Sequence, residues 1–216
     1  QSLQLSVPGQ QTQVRVSGPV DFGSDAMAFE LDADWEQLRW PLVGSSQLES
    51  PTGRLQLNGT LDSYRVNTSM RLFASGYTGA EVVLQGKGST EGLQLSELVV
   101  ETLGGHLQGT AQVAWHPRLE MHIDITGDSL DPGLMFTEWP GKLDMQLAGR
   151  AELTAEGLIA RLPRLRVNGQ LRDLPVRLDT FGSYRAETLS IEKLSLSSGP
   201  SSLQLSGSVG KSLDLD

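Results

Sequence analysis

The sequence predicts an all-β chain: one elongated, twisted, largely antiparallel sheet of repeated hairpin units, with at most one or two short helices. Three observations carry this. Apolar and polar residues alternate with a period of two over most of the 216 residues. Strand side chains point alternately to opposite faces, so each such run is a strand with one apolar and one polar face. Short clusters of Gly, Pro, Asn, Asp and Ser separate the runs, and one hairpin-sized pattern recurs along the chain, as in a stack whose units touch only their neighbours. Residues 1–216 are read as a single segment of such an array.

Leu3, Leu5 and Val7 alternate, Pro8-Gly9 form a turn, and Val14, Val16, Gly18 and Val20 alternate again. Met27, Phe29, Leu31 and Ala33 make a third strand, backed by Ala28, Glu30, Asp32 and Asp34. The period breaks over Trp35–Val43, which predicts a crossing segment or an irregular turn. Residues 44–52 (GSSQLESPT) have loop composition. A hairpin follows about Asp62-Ser63, with Phe73 out of phase at a bulge or strand end.

The cleanest alternation lies in 93–125. Leu107, Gly109, Ala111, Val113 and Trp115 oppose His106, Gln108, Thr110, Gln112 and Ala114. After the His116-Pro117 turn, Leu119, Met121, Ile123 and Ile125 oppose Glu120, His122 and Asp124. Leu130–Trp139 is the best helix candidate, with Asp131 to cap it, Pro132 in its first turn and Pro140-Gly141 to stop it. Strands resume at Leu143 and continue to Val209.

Two copies of a longer unit superimpose. Leu93-x-Leu95-x-x-Leu98-x-Val100 matches Leu189-x-Ile191-x-x-Leu194-x-Leu196. Each leads to an apolar-x-Gly-x-apolar kernel, Leu107-x-Gly109-x-Ala111 or Leu205-x-Gly207-x-Val209, and Leu162-x-x-Leu165-x-Val167-x-Gly169 is a shorter echo. The x-x step shifts the alternation as a bulge does. Gly59, Gly109, Gly149, Gly169 and Gly207 all fall on the apolar parity, where a missing side chain leaves a gap, permits a bend, or lets something approach the backbone.

A one-sided apolar sheet must cover that side. A second sheet packed against it would make a sandwich. The alternative is a sheet curled into an open trough, suited to acyl chains because each buried methylene contributes ~0.8 kcal/mol. The lining of that trough would begin with Leu55, Leu57, Leu61, Val66, Met70, Leu72, Leu95, Leu98 and Val100. It would continue through Leu107, Val113, Leu119, Met121, Ile123, Ile125, Leu143, Met145, Leu147 and Leu153. Leu165, Val167, Leu171, Leu189, Ile191, Leu194, Leu196, Leu203, Leu205 and Val209 would complete it.

Composition narrows the function. Hydrophobic residues are 38% and aromatics 6%, thin supplies for a thick closed core. A net charge of −9 argues against nucleic acid and against general affinity for anionic membranes. There is no cysteine for a disulfide or a thiolate metal site. No apolar run reaches the ~18 residues of a membrane-spanning helix, no signal-peptide pattern stands at the start, and the chain reads as a section of a longer protein. His106 and His122 fall on the polar parity and His116 in a turn, so no zinc set converges. Asp124, Asp128 and Asp131 lack calcium-loop spacing and read as strand-end and capping residues. Ser45-Ser46 and Ser197-Ser198 have no His and Asp companions and read as loop. Trp35, Trp40, Trp115 and Trp139 are assigned to the ends of a core rather than to sugar stacking. No catalytic motif and no cofactor site is expected.

An ordered set of stretches resembles a known family. It comprises Leu38-Arg39-Trp40-Pro41-Leu42, then Thr52-Gly53-Arg54-Leu55-x-Leu57-x-Gly59, then 103–115 (LGGHLQGTAQVAW), Gly127-x-x-Leu130-Asp131-Pro132-Gly133 and Glu138-Trp139-Pro140-Gly141-x-Leu143. These resemble the TamB family of AsmA-like proteins, most closely over residues 35–153. The resemblance implies a long sheet curled into a trough (a β-taco). It implies a non-enzymatic protein in the periplasm of a Gram-negative bacterium, tethered to the inner membrane by a region outside this chain. Phospholipid acyl chains would be the cargo between inner and outer membranes, within an outer-membrane translocation and assembly module. The partner TamA would engage regions outside this interior section, and a scaffold role toward client β-strand proteins is the alternative.

Overall fold

Backbone pairing joins the alternating runs into one sheet. The computed structural model describes residues 2–6, 11–23, 27–41, 46–210 and 213–215. Among them the strands are β1 (Ser2–Ser6), β2 (Gln13–Ser17), β3 (Val20–Asp21), β4 (Ala28–Trp40), β5 (Leu48–Thr60), β6 (Ser63–Ala74), β7 (Ala80–Gly88) and β8 (Gly92–Thr102). The second half holds β9 (Gly105–Ala114), β10 (Glu120–Leu130), β11 (Gly141–Thr154), β12 (Gly157–Leu171), β13 (Leu174–Arg185), β14 (Thr188–Ser198), β15 (Ser201–Val209) and β16 (Leu213–Leu215). They pair antiparallel in chain order from β1 to β16, with the short β3 set aside on β4. The order follows from the turns. Antiparallel neighbours need only a tight connection, whereas a parallel pair needs a crossover.

The sheet is a single open layer. β1 and β16 lie at opposite ends of the strand order and do not pair, so the sheet curls into a trough without closing into a barrel. The accessible surface is 14321 Å², against about 9,700 Å² expected for a compact protein of this mass. Val66, Val82 and Leu130 are the only buried apolar residues among those described, and no side chain there is fully buried. A mating sheet would have buried the apolar face deeply. Instead most of that face is half-buried, and the sandwich alternative does not apply.

Bulges keep the apolar side chains on one face. Between β8 and β9 the register shifts between Leu95 and Leu98; between β14 and β15 it shifts between Ile191 and Leu194. Residues three apart would face opposite sides of a regular strand, and the extra residue returns them to the same side. The shorter echo behaves alike, with a shift between Leu162 and Leu165 against β13. Pro51 and Pro163 fall inside such shifts in β5 and β12. A bulge is where a strand tolerates a residue with no N–H to donate.

Several local expectations are corrected. Trp35–Trp40 does not cross over. It continues β4, with Gln37 at φ 50° absorbing the broken period; Leu42 and Val43 lie outside the described residues. The loop at 44–52 ends by Leu48, where β5 begins, because β4 supplies partners as far as Trp40↔Leu48. Ser197 and Ser198 are strand residues of β14. The helix over Leu130–Trp139 is one 3-10 turn, Pro132–Leu134. β10 runs through Leu130, and the seven residues between Pro132 and Pro140 are few to repay helix nucleation. The Pro8-Gly9 turn lies outside the described residues.

Asp131 holds that connection in shape. Its Oδ1 accepts from Gly133 N and Gly141 N, both at 2.8 Å, tying the turn to the first residue of β11. Asp131→Ala is expected to lower stability by about 1–2 kcal/mol, measurable by urea denaturation, while Asp128→Ala shifts the midpoint little.

Candidate functional site

Directly paired residues of an antiparallel sheet point to the same side, so the register assembles the apolar face row by row. One row crosses the sheet from β4 to β15 as Ala33, Leu55, Thr68, Leu84, Leu98, Gly109, Ile125, Leu147, Leu165, Thr180, Leu194 and Leu205. A second is Trp35, Gly53, Met70, Val82, Val100, Leu107, Gly127, Met145, Val167, Leu178, Leu196 and Leu203. A third is Phe29, Gly59, Tyr64, Gly88, Leu93, Val113, Met121, Ala151, Ala160, Tyr184, Leu189 and Val209. The last runs Leu31, Leu57, Val66, Gly86, Leu95, Ala111, Ile123 and Gly149, breaks at the β11–β12 bulge, and resumes with Leu162, Gly182, Ile191 and Gly207. No residue in these rows carries a charge.

Most of the residues picked out from the sequence stand in these rows. Leu72, Leu143, Leu153 and Leu171 extend the same parity toward the strand ends. Leu61 and Leu119 do not belong to strands. Leu61 occupies the two-residue β5–β6 turn and Leu119 precedes β10, and they are 50% and 46% exposed. Alternation places them on the apolar parity, yet the hairpins turn before the parity takes effect. Val82, Leu84, Leu93, Leu162 and Leu178 join the lining assigned from the sequence, on the same parity. Tyr184 sits where alternation is lost in the sequence and is recognised only through its partners Ala160 and Leu189.

The two threonines in the rows have their hydroxyls engaged by backbone carbonyls. Thr68 Oγ1 donates to the Arg54 carbonyl at 2.8 Å, and Thr180 Oγ1 to the Lys193 carbonyl at 2.9 Å. A threonine whose hydroxyl is bonded to backbone presents mainly its methyl. Trp35 lies over Gly53 and sends Nε1 to Ser50 Oγ at 2.8 Å, and Tyr64 lies over Gly88. Side chains from neighbouring strands fill these glycine positions. Gly59 and Gly169 differ: φ is 137° and 147°, and a Cβ on either would strike the backbone of the next strand, at Ser63 or Lys142. There the strands themselves close in.

The opposite face is an ion-pair lattice. Arg54 contacts Asp32 at 3.0 Å and Asp34 at 3.8 Å; Arg71 meets Glu81 at 2.9 Å, and Arg164 meets Asp124 at 3.1 Å. These exposed pairs contribute little stability each, ~0–1 kcal/mol, but keep that face wet. The Gln56 side chain, and then the Arg54 guanidinium, hold the Asp32 carboxyl below the usual carboxylate range. A depressed folded value means the contribution is present above the unfolded value and lost as pH falls through the folded one. Gln56→Leu and Arg54→Ala are therefore each expected to raise the Asp32 titration midpoint in NMR.

His106 and His122 register on this polar face, opposite Glu101 and Arg150 respectively. Among the described residues no group of His, Asp and Glu is placed to hold a metal ion, and no helix is long and apolar enough to cross a membrane. Asp124 serves an ion pair and Asp131 a cap. Trp40 ends β4, and Trp115 and Trp139 lie in the connections after β9 and before β11, whereas Trp35 sits inside β4 over Gly53. Trp115 Nε1 donates to the Thr90 carbonyl at 2.7 Å, and the Arg172 guanidinium stands 5.3 Å above the Trp139 ring.

No solved structure matches the chain. The family model described as TamB, N-terminal domain, matches residues 2–216, essentially the whole sequence. A single curled sheet of chain-ordered hairpins is also the fold that the resemblance implied. The chain belongs to the TamB family, within its N-terminal domain.

Proposed function

We propose that this chain is a section of a non-enzymatic hydrophobic conduit that carries phospholipid acyl chains across the periplasm, between the inner and outer membranes of a Gram-negative envelope. The observation that supports it is the set of charge-free rows from β4 to β15. Twelve strands at a spacing of ~4.8 Å give a path of roughly 50 Å. An acyl chain moving along it exchanges one set of methyl contacts for the next, with no polar barrier between them. Inner-membrane tethering and contact with the outer-membrane partner TamA belong to regions outside these residues.

An alternative is a scaffold for outer-membrane or autotransporter β-proteins, holding a client strand by augmentation. That requires an open strand edge; each strand from β4 to β15 is paired on both sides, so among the described residues such a client would add at the ends of the strand order, β1 and β16, and not along the apolar rows. A peptide lying on the apolar rows would leave its own N–H and C=O groups without partners; an acyl chain has none to satisfy. The test is lipid extraction and native mass spectrometry of the intact protein. Co-purifying phospholipid is the expected result. Absence of lipid, together with crosslinks from strand edges to an unfolded client, would replace the conduit with the scaffold.

A further inference from the structure

The trough is not uniform. At Gly53 and Gly88 an aromatic ring covers the small residue, and at Gly127 the side chains of Leu107, Met145 and Leu130 do so. Between β11 and β13 the cover is thinner: a Cβ at Gly149 would meet only Ile123 Cγ1 and Cδ1, at 3.1 and 3.3 Å, and one at Gly182 would meet the Ser190 and Ile191 backbone rather than a ring or a cluster of side chains. Ala151 pairs directly with Ala160, Gly149 stands two residues from Ala151, and Gly182 pairs with Leu162. Around this floor of small residues stand Met121, Ile123, Leu162, Tyr184, Leu189 and Ile191, bordering an open hollow of about 410 Å³. The register shift between β11 and β12 leaves Gly149 without a direct partner on β12 at the same place.

Its chemistry differs from that of the other hollows. One of about 450 Å³ is lined by Gln94, Gln112, His122, Asp124 and Arg150, and one of about 500 Å³ by Asp34, Glu36, Arg54, Arg71 and Glu81. Both belong to the charged face. Arg150 and Arg161 also border the apolar hollow, but they pair with one another on the parity opposite to Ala151 and Ala160. Thr180 has its hydroxyl engaged by the Lys193 carbonyl. The guest this hollow accepts is uncharged, flexible and without hydrogen-bonding groups along its length. Its volume lies toward the low end of the ~300–1,000 Å³ of small-molecule clefts, suited to one chain with any headgroup left outside.

We infer that the Gly149–Ala151–Ala160–Gly182 depression is a discrete resting station for a single acyl chain within the conduit. The inference rests on the conduit reading and adds a position to it. A chain sunk into the floor is contacted from more sides than one lying on filled rows, so occupancy concentrates here. Transfer then proceeds by dwell and release rather than by uniform sliding.

The test uses the intact protein, equilibrated with phosphatidylethanolamine carrying a diazirine in mid-chain, photolysed and mapped by peptide mass spectrometry. Adducts concentrated on Met121, Leu162, Leu189 and Ile191 are expected. Ala151→Phe with Ala160→Leu, which fills the hollow, should abolish them while retaining adducts at Leu55 and Val66. Should that pair misfold by circular dichroism, Ala160→Met alone narrows the same space, and the wild-type map decides without any variant. Even labelling along all rows overturns the station and leaves the conduit standing. No labelling of the apolar face removes the conduit reading, and the station with it.

Discussion

Leu107→Asp is expected to reduce phospholipid transfer by the intact protein by roughly 30- to 100-fold, a barrier of ~2–3 kcal/mol. Leu107 stands mid-sheet between Val100 and Gly127, so a carboxylate there confronts every acyl chain that passes. The open seam lets the charge keep part of its hydration, which is why the estimate stays well below full burial of an ion. Leu205→Arg, beside Leu194 in β15, should act the same way farther along the trough. Gln108→Asp, one residue away on the polar face, is the control and should leave transfer unchanged. Fluorescent-lipid transfer between vesicles measures the effect, with small-angle scattering to establish that the elongated shape persists. A folded Leu107→Asp protein that transfers lipid at the wild-type rate would show that these rows do not line the path.

The second large effect concerns stability. Gly169→Ala should cost about 2–4 kcal/mol. Two causes combine: φ of 147° is a conformation that L side chains rarely adopt, and the new methyl would collide with the Lys142 carbonyl and lie 3.0 Å from Leu143 Cα. Backbone cannot yield there without parting β11 from β12. Gly149→Ala is the informative contrast, because its Cβ would meet only the Ile123 side chain, at 3.1 and 3.3 Å. A flexible side chain can move, so that change should cost less than about 1 kcal/mol. Urea denaturation of both variants compares them, and equal losses would contradict the backbone-contact explanation.

These two glycines show where sequence reasoning ended. Both sit on the apolar parity within the same kernel, and alternation cannot tell a glycine that seats a neighbouring strand from one that seats a side chain. The x-x steps at Ser96-Glu97 and Glu192-Lys193 were legible as bulges because a three-residue apolar spacing admits no other strand geometry. Trp35–Trp40 departs from the expected crossing for the converse reason. Its lost period comes from one residue, Gln37, at positive φ, while β5 continues to supply hydrogen bonds. Leu130–Trp139 carried genuine helix signals, but its length allowed only a capped 3-10 turn.

The sequence by itself determined that the chain is a succession of hairpins with a charge-free side and a charged side, since a period of two leaves no other arrangement of side chains. Only the tertiary structure decided what faces the charge-free side. Pairing in chain order with no crossover puts every strand of the described residues into one layer and leaves none of them to form a second. The curl, the filled glycines and the apolar depression depend on residues from adjacent strands meeting in register, and register is a relation between distant parts of the chain that no local pattern contains.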